Sequence, residues 1–148
     1  MSNFSIDSSD FKEGDEIPKK FGYKFENVAP QINFINSPEN TKSFALIMDD
    51  PDAMIAVGKV WVHWLVCDIS TNQDQQDSFS KCTGITDFGE IGYGGPAPPD
   101  KRHTYIFKGY ALDVKSLALK PGFSKQELEE AMSGHILAEA KLTGTFVP

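Results

Sequence analysis

The chain has 148 residues, with 14 Lys and Arg set against 21 Asp and Glu for a formal charge of −7. That is the length of one domain, long enough to bury a core. The basic residues are scattered, adjacent only at Lys19–Lys20 and Lys101–Arg102, which excludes a nucleic-acid or anionic-membrane surface of the kind that needs clustered cations.

The opening, up to Pro30, is punctuated by Gly14, Pro18, Gly22 and Pro30. Within it FGYKFENV reads as a short strand. The first eighteen residues lack a basic stretch followed by an apolar one, so no signal peptide is expected. QINFIN (31–36) is followed by NSPENTK, a turn by composition. SFALIMDD (43–50) reads as a buried strand ending on acidic residues. VWVHWLVCDI (60–69) is nearly continuous in β-branched, aromatic and aliphatic residues, the pattern of a strand covered on both faces. Residues 72–88 are polar and loop-like, and HTYIFKGYALDV (103–114) is a further strand. Cys67 and Cys82 are near enough to bridge. Because Cys67 lies inside an apolar run, two free thiols of a cytoplasmic protein are expected.

One helix is expected, in SKQELEEAMSGHILAEAKL (124–142). Ser124 and Glu127 form a capping box, and Leu128, Ala131, Met132, His135, Ile136 and Glu139 follow on one helical face. On that face His135 reads as a hydrogen-bonded core histidine. Strands with one late helix indicate a β-rich domain, and no G-x-G-x-x-G or P-loop opens a helix after a strand.

A few polar groups do not suit a core. By period-2 alternation His63 shares a face with Trp61, Leu65 and Cys67, where a buried imidazole needs hydrogen-bond partners. His103 and Tyr105 share a side of their strand with Phe107 and form a donor pair above an apolar floor. In DDPDA (49–53) Asp49 and Asp52 read as turn residues that cap amides. A carboxylate beside a buried histidine would fix its tautomer and raise its pKa. No H-x-H, H-E-x-x-H or C-x-x-C spacing supports a metal, and no cofactor is expected. In GYGGPAPP (92–99) the three prolines leave Ala97 as the single amide between Gly95 and Asp100. A stiff loop of this kind offers one aimed donor rather than a phosphate nest. Gly94 and Gly95 are expected to supply the unusual dihedrals that aim it.

DPDAM (50–54), WVHW (61–64) and GYGGPAPPDKRHTYIF (92–107), in this order, resemble the phosphatidylethanolamine-binding protein family, also called Raf kinase inhibitor-like, in its bacterial and archaeal branch. The resemblance implies a predominantly β fold, antiparallel sheets packed face to face with a C-terminal helix, over the whole chain as one domain. It implies a small anion pocket for phosphate, a phosphoethanolamine headgroup or a carboxylate, built from Asp50, His63, Ala97, Pro98, His103 and Tyr105. Two departures stand in the motifs: Met54 replaces a rim proline, and Thr104 replaces an arginine for which Arg102 could compensate. A phosphate dianion beside Asp50 is repulsive unless a proton is shared, so binding is expected to weaken as pH rises, with His63, Tyr105 and the Ala97 amide donating. The implied role is non-enzymatic, regulatory through a kinase or protease partner, cytoplasmic, without integral membrane association, in a chain able to form a homodimer. The alternative is a hydrolase or lyase acting on a small phosphorylated or acyl substrate through Asp50, His63 and Tyr105. No G-x-S-x-G or motif cysteine supplies its nucleophile.

Overall fold

The computed structural model describes residues 3–148. Four strands form the main sheet: β3 (Ser43–Asp50), β4 (Trp61–Ile69), β5 (His103–Leu112) and β6 (Ile136–Phe146). They run antiparallel in the order β4-β3-β5-β6. A two-stranded antiparallel sheet, β1 (Ser5–Ser8) with β2 (Ile32–Ile35), packs on one face. Aromatic residues fill the space between the sheets. Phe34 stacks on Phe44 with ring centroids 4.4 Å apart, and Phe4 stacks on both rings. Gly109 of β5 permits this close approach, because a Cβ there would meet Ile6 at 2.7 Å and Phe34 at 2.9 Å. The opposite face carries Ala45, Ile47, Leu65, Tyr110 and Leu112, covered by Phe123 and by Leu128 and Met132 of helix α3 (Lys125–Met132). Both faces are therefore occupied, and every residue of β3 is buried, as its unbroken apolar run requires. The fold is predominantly β, with face-to-face antiparallel sheets and a helix toward the C-terminus. Two shorter helical turns complete it, α1 (Ala53–Val57) and α2 (Gln75–Ser78).

Several expectations change. FGYKFENV is not a strand: a 3₁₀ turn at Lys19–Phe21 leads into further turns, with Asn27 at φ 55. The late helix keeps its capping box but stops at Met132. Gly134 then takes φ +85, and Ile136 begins an eleven-residue strand. HILAEAKL satisfied the helical period, yet it equally satisfies alternation, and pairing with β5 decides the matter. His135 therefore leaves the helical stripe: it is partly exposed, with Nδ1 2.8 Å from Asp113 Oδ1. The polar segment 72–88 contains α2.

The cysteines are not free. Cys67 and Cys82 form a disulfide, with Cα atoms 5.4 Å apart. The apolar run around Cys67 showed that it is buried, not that it is unpaired. The segment after α2 runs along the outer edge of β4, where the Cys67 amide donates to the Cys82 carbonyl at 2.9 Å and Gly84 donates to Leu65 at 2.9 Å. That ladder sets the two sulfurs side by side, and free thiols no longer support a cytoplasmic location. Among the described residues no helix is long and apolar enough to cross a membrane.

Candidate functional site

The site begins with an irregularity in the β3–β4 ladder. Met48 pairs with Trp64 and Asp49 with Val62, so His63 is the extra residue of a bulge. Strict alternation would have grouped His63 with Leu65 and Cys67. The bulge instead turns its ring, with that of Trp61, toward Asp50 and Tyr105, while Leu65 and Cys67 stay in the other core. The bulged backbone is not wasted: the His63 carbonyl accepts from the Gly94 amide at 2.8 Å. The His63 Nδ1–H donates to the Gly94 carbonyl at 2.7 Å. One residue of the proline loop thus fixes both the main chain and the tautomer of His63, leaving Nε2 as an acceptor.

Gly94 and Gly95 serve by their size rather than by unusual dihedrals, since positive φ falls on Gly92. A Cβ on Gly95 would lie 1.9 Å from the Phe21 carbonyl oxygen, and one on Gly94 would meet the Phe88 ring at 2.5 Å. The N-terminal turns clamp the loop from outside: Gly95 donates to Asn27 Oδ1 at 2.7 Å, Tyr23 donates to the Pro96 carbonyl at 3.0 Å, and the Tyr93 hydroxyl donates to the Phe21 carbonyl at 2.8 Å.

Between this loop, the ends of β3, β4 and β5, and α1 lies a cavity of about 210 Å³, lined by Asp50, Ala53, Val57, Trp61, His63, Phe88, Ala97, Pro99, His103 and Tyr105. Five of the six residues named from the sequence meet there. Pro98 does not; it lines a neighbouring groove with Phe25 and Phe146, which Ala97 and Pro99 also border. Trp61 and Pro99 were missed, though each stands near a motif histidine or the loop amide; Ala53, Val57 and Phe88 carried no polar signal. Met54 and Thr104 are exposed and outside the lining. Arg102 pairs with Glu16 instead of compensating for Thr104.

The carboxylate partner of a buried histidine is found, but on His103. His103 Nδ1 donates to Asp50 Oδ2 at 2.6 Å, and Nε2 donates to Asp100 Oδ1 at 2.7 Å. Burial opposes its charge, but the two hydrogen-bonded carboxylates outweigh burial and raise the pKa. With both nitrogens engaged, His103 is not a donor into the cavity, contrary to the paired-donor expectation. Burial raises the Asp50 pKa, with His103 opposing. Asp50 Oδ1 accepts from the Asp52 amide at 3.0 Å, and Asp52 itself accepts from Thr104 at 2.8 Å. Asp49 does not cap an amide: it faces the other side and binds Lys125 of α3 at 2.9 Å.

His63 behaves oppositely to His103. Burial lowers its pKa to about 4, against the Gly94 and Gly95 carbonyls, so at neutral pH it is uncharged. Tyr105 is held well above its ordinary range, first by burial and then by the charge of Asp50, and keeps its proton. Its hydroxyl and the Trp61 indole Nε1 are buried with no hydrogen-bond partner among the described residues. Buried donors without partners are rare, and both belong to residues that line one cavity.

The family model for phosphatidylethanolamine-binding protein matches residues 7–147. A UPF0098 protein of Aquifex aeolicus is 44% identical over 94% of this chain and 85% of its own length. One from Chlamydia muridarum is 41% identical over 95% and 97%. A Chlamydia trachomatis crystal structure described as a putative phosphatidylethanolamine-binding protein homologue superposes with TM-score 0.87 at 37% identity, covering 98% of this chain and 97% of that one. An E. coli structure described as a new member of the mammalian PEBP family gives 0.84 at 27%, covering 98% of both chains. The chain belongs to the phosphatidylethanolamine-binding protein family.

Proposed function

We propose that the chain is a binding protein whose cavity takes a small oxyacid in a proton-bearing form: a phosphate monoanion, a phosphorylated headgroup or a carboxylic acid. The observation that carries this reading is the pair of unpartnered buried donors, Tyr105 O–H and Trp61 Nε1–H. They suit the oxygens of such a group. The same cavity offers acceptors for its proton, Asp50 and the Nε2 lone pair of His63. No Lys or Arg is among the ten lining residues, and Lys59, 5.8 Å from the Trp61 ring, is tied to Asp87. His103 already gives both ring nitrogens to carboxylates, so no free cation among the lining residues remains to neutralise a dianion. His63 is thus an acceptor here, not the donor expected from the sequence.

Phosphate titrations by calorimetry or phosphorus NMR from acid to alkaline pH test this. Affinity falls as pH rises through the second ionisation of the ligand, about pH 6 for a phosphate monoester. Affinity that stays level or increases overturns the reading.

In this reading the protein acts on a kinase or protease partner rather than by turnover. The enzymatic alternative finds less support in the geometry: Asp50 bonds to His103 and not to the base His63, and no Ser, Thr or Cys lines the cavity. Turnover of phosphate esters, abolished in His63→Ala, would restore it.

A further inference from the structure

The cavity is polar at its floor and apolar at its rim. Asp50, His63, His103 and Tyr105 are at most 3% exposed. The lining residues open to solvent are Val57, Trp61, Phe88, Ala97 and Pro99. None of them is charged, and the one polar side-chain atom among them, Trp61 Nε1, is buried. An acid seated on the floor therefore has its organic part inside an apolar collar, where burial favours hydrocarbon.

Among the described residues, no rim group is placed to receive a cation. Asp52, Asp87 and Asp100 each adjoin a lining residue in the chain, but none lines the cavity. Asp52 accepts from the Thr104 amide, Asp87 from Lys59 and the Val62 amide, and Asp100 from His103. The aromatic faces that attract cations are also taken up. Lys59 Nζ lies 5.8 Å from the Trp61 ring, so a second cation there meets a like charge. Tyr23 stacks on one face of Phe88 with ring centroids 3.9 Å apart. Asp50, the one carboxylate in the lining, already accepts from His103 and from the Asp52 amide. An ammonium drawn into the collar loses water and gains no partner, which is costly.

We infer that the ligand is an oxyacid whose organic part is short, uncharged and apolar, an alkyl or aryl group, rather than an ammonium-bearing headgroup such as phosphoethanolamine. The inference rests on the binding reading above and fixes the other end of the same molecule. The acid group meets Tyr105, Trp61 Nε1, Asp50 and His63 at the floor. Its hydrocarbon fills the collar between Val57 of α1 and Ala97 and Pro99 of the proline loop. Headgroups are thereby narrowed to those that carry no cation.

Calorimetry with inorganic phosphate, propyl phosphate and phosphoethanolamine tests this. It is run at about pH 5, where phosphate monoesters are chiefly monoanions and His63, with its pKa lowered to about 4, is mostly uncharged. The two esters are equal in size and differ by a methyl group in place of the ammonium. Wild type binds propyl phosphate about tenfold or more tightly than phosphoethanolamine, and more tightly than inorganic phosphate. Val57→Asp sets a carboxylate on the rim at a side chain that is 50% exposed, and an unchanged thermal transition confirms that it folds. In this variant the preference for propyl phosphate over phosphoethanolamine falls about tenfold or reverses. If the variant fails to fold, the wild-type ratio decides by itself. Propyl phosphate that binds no more tightly than phosphoethanolamine or inorganic phosphate overturns the inference and leaves the binding reading standing. So does a ratio that a folded Val57→Asp leaves unchanged. If neither inorganic phosphate nor propyl phosphate binds, the reading and the inference fall together.

Discussion

At the scale of single residues, Tyr105 separates ligand binding from stability. Its hydroxyl is buried and unpartnered, so Tyr105→Phe removes a donor that contributes nothing to the unliganded fold. The variant should melt at or slightly above the wild-type temperature while losing about 1–2 kcal/mol of phosphate affinity. A variant that melts lower and binds normally would place the hydroxyl in an internal hydrogen bond instead. Much of this site was legible in the residues: DPDA, W-x-H-W and the loop with H-T-Y marked five of the cavity's lining positions. What each nitrogen does was not legible. His63 and His103 are both buried histidines near carboxylates, yet the pKa of one is lowered and that of the other raised, because only His103 lies between two acids. Asp100, three residues before His103, could have been noticed by that spacing, but loop geometry decides whether it turns back.

Elements misled where two periodicities fitted one segment. HILAEAKL obeys both the helical and the strand pattern, and Gly134 at φ +85 settles the boundary. Gly134→Ala should therefore destabilise the protein by about 1 kcal/mol in thermal or denaturant unfolding, although a Cβ there meets nothing within 4 Å. No loss would mean that the turn relaxes. β3, β4 and β5 were readable to within a residue or so because continuous apolar runs have few alternatives. The bulge at His63 left no mark in composition, since it depends on the partner strand's register. The disulfide was equally hidden, because a cysteine in an apolar run packs well with or without a bond. Thiol titration of unreduced protein, native and denatured, should find none free, and Cys82→Ser should cost about 2–4 kcal/mol.

For the whole molecule, the two cavity histidines give stability an upper and a lower pH limit. His63 ionises at its ordinary value near 6.5 when unfolded and at about 4 when folded. Its contribution is therefore complete above 6.5 and is lost as pH falls toward 4, by about 3 kcal/mol. His103 has a raised pKa, so its contribution is complete below 6.5 and is lost as pH climbs through the folded value. Chemical denaturation across pH should show a maximum between these limbs, and His63→Gln should flatten the acid limb. An unchanged acid limb in that variant would assign it to other groups.

The clamp on the proline loop has a kinetic side. Tyr23, Asn27 and the Phe21 carbonyl hold that wall at Pro96, Gly95 and Tyr93, with no room behind Gly95 even for a methyl group. The facing wall is α1, one helical turn whose Met54, Ile55 and Val57 are 52%, 79% and 50% exposed. On the proposed binding reading, a molecule entering or leaving the cavity is expected to pass α1 rather than the clamped loop. Substitutions in that turn are then expected to change residence time, and substitutions of the polar groups behind it the equilibrium constant.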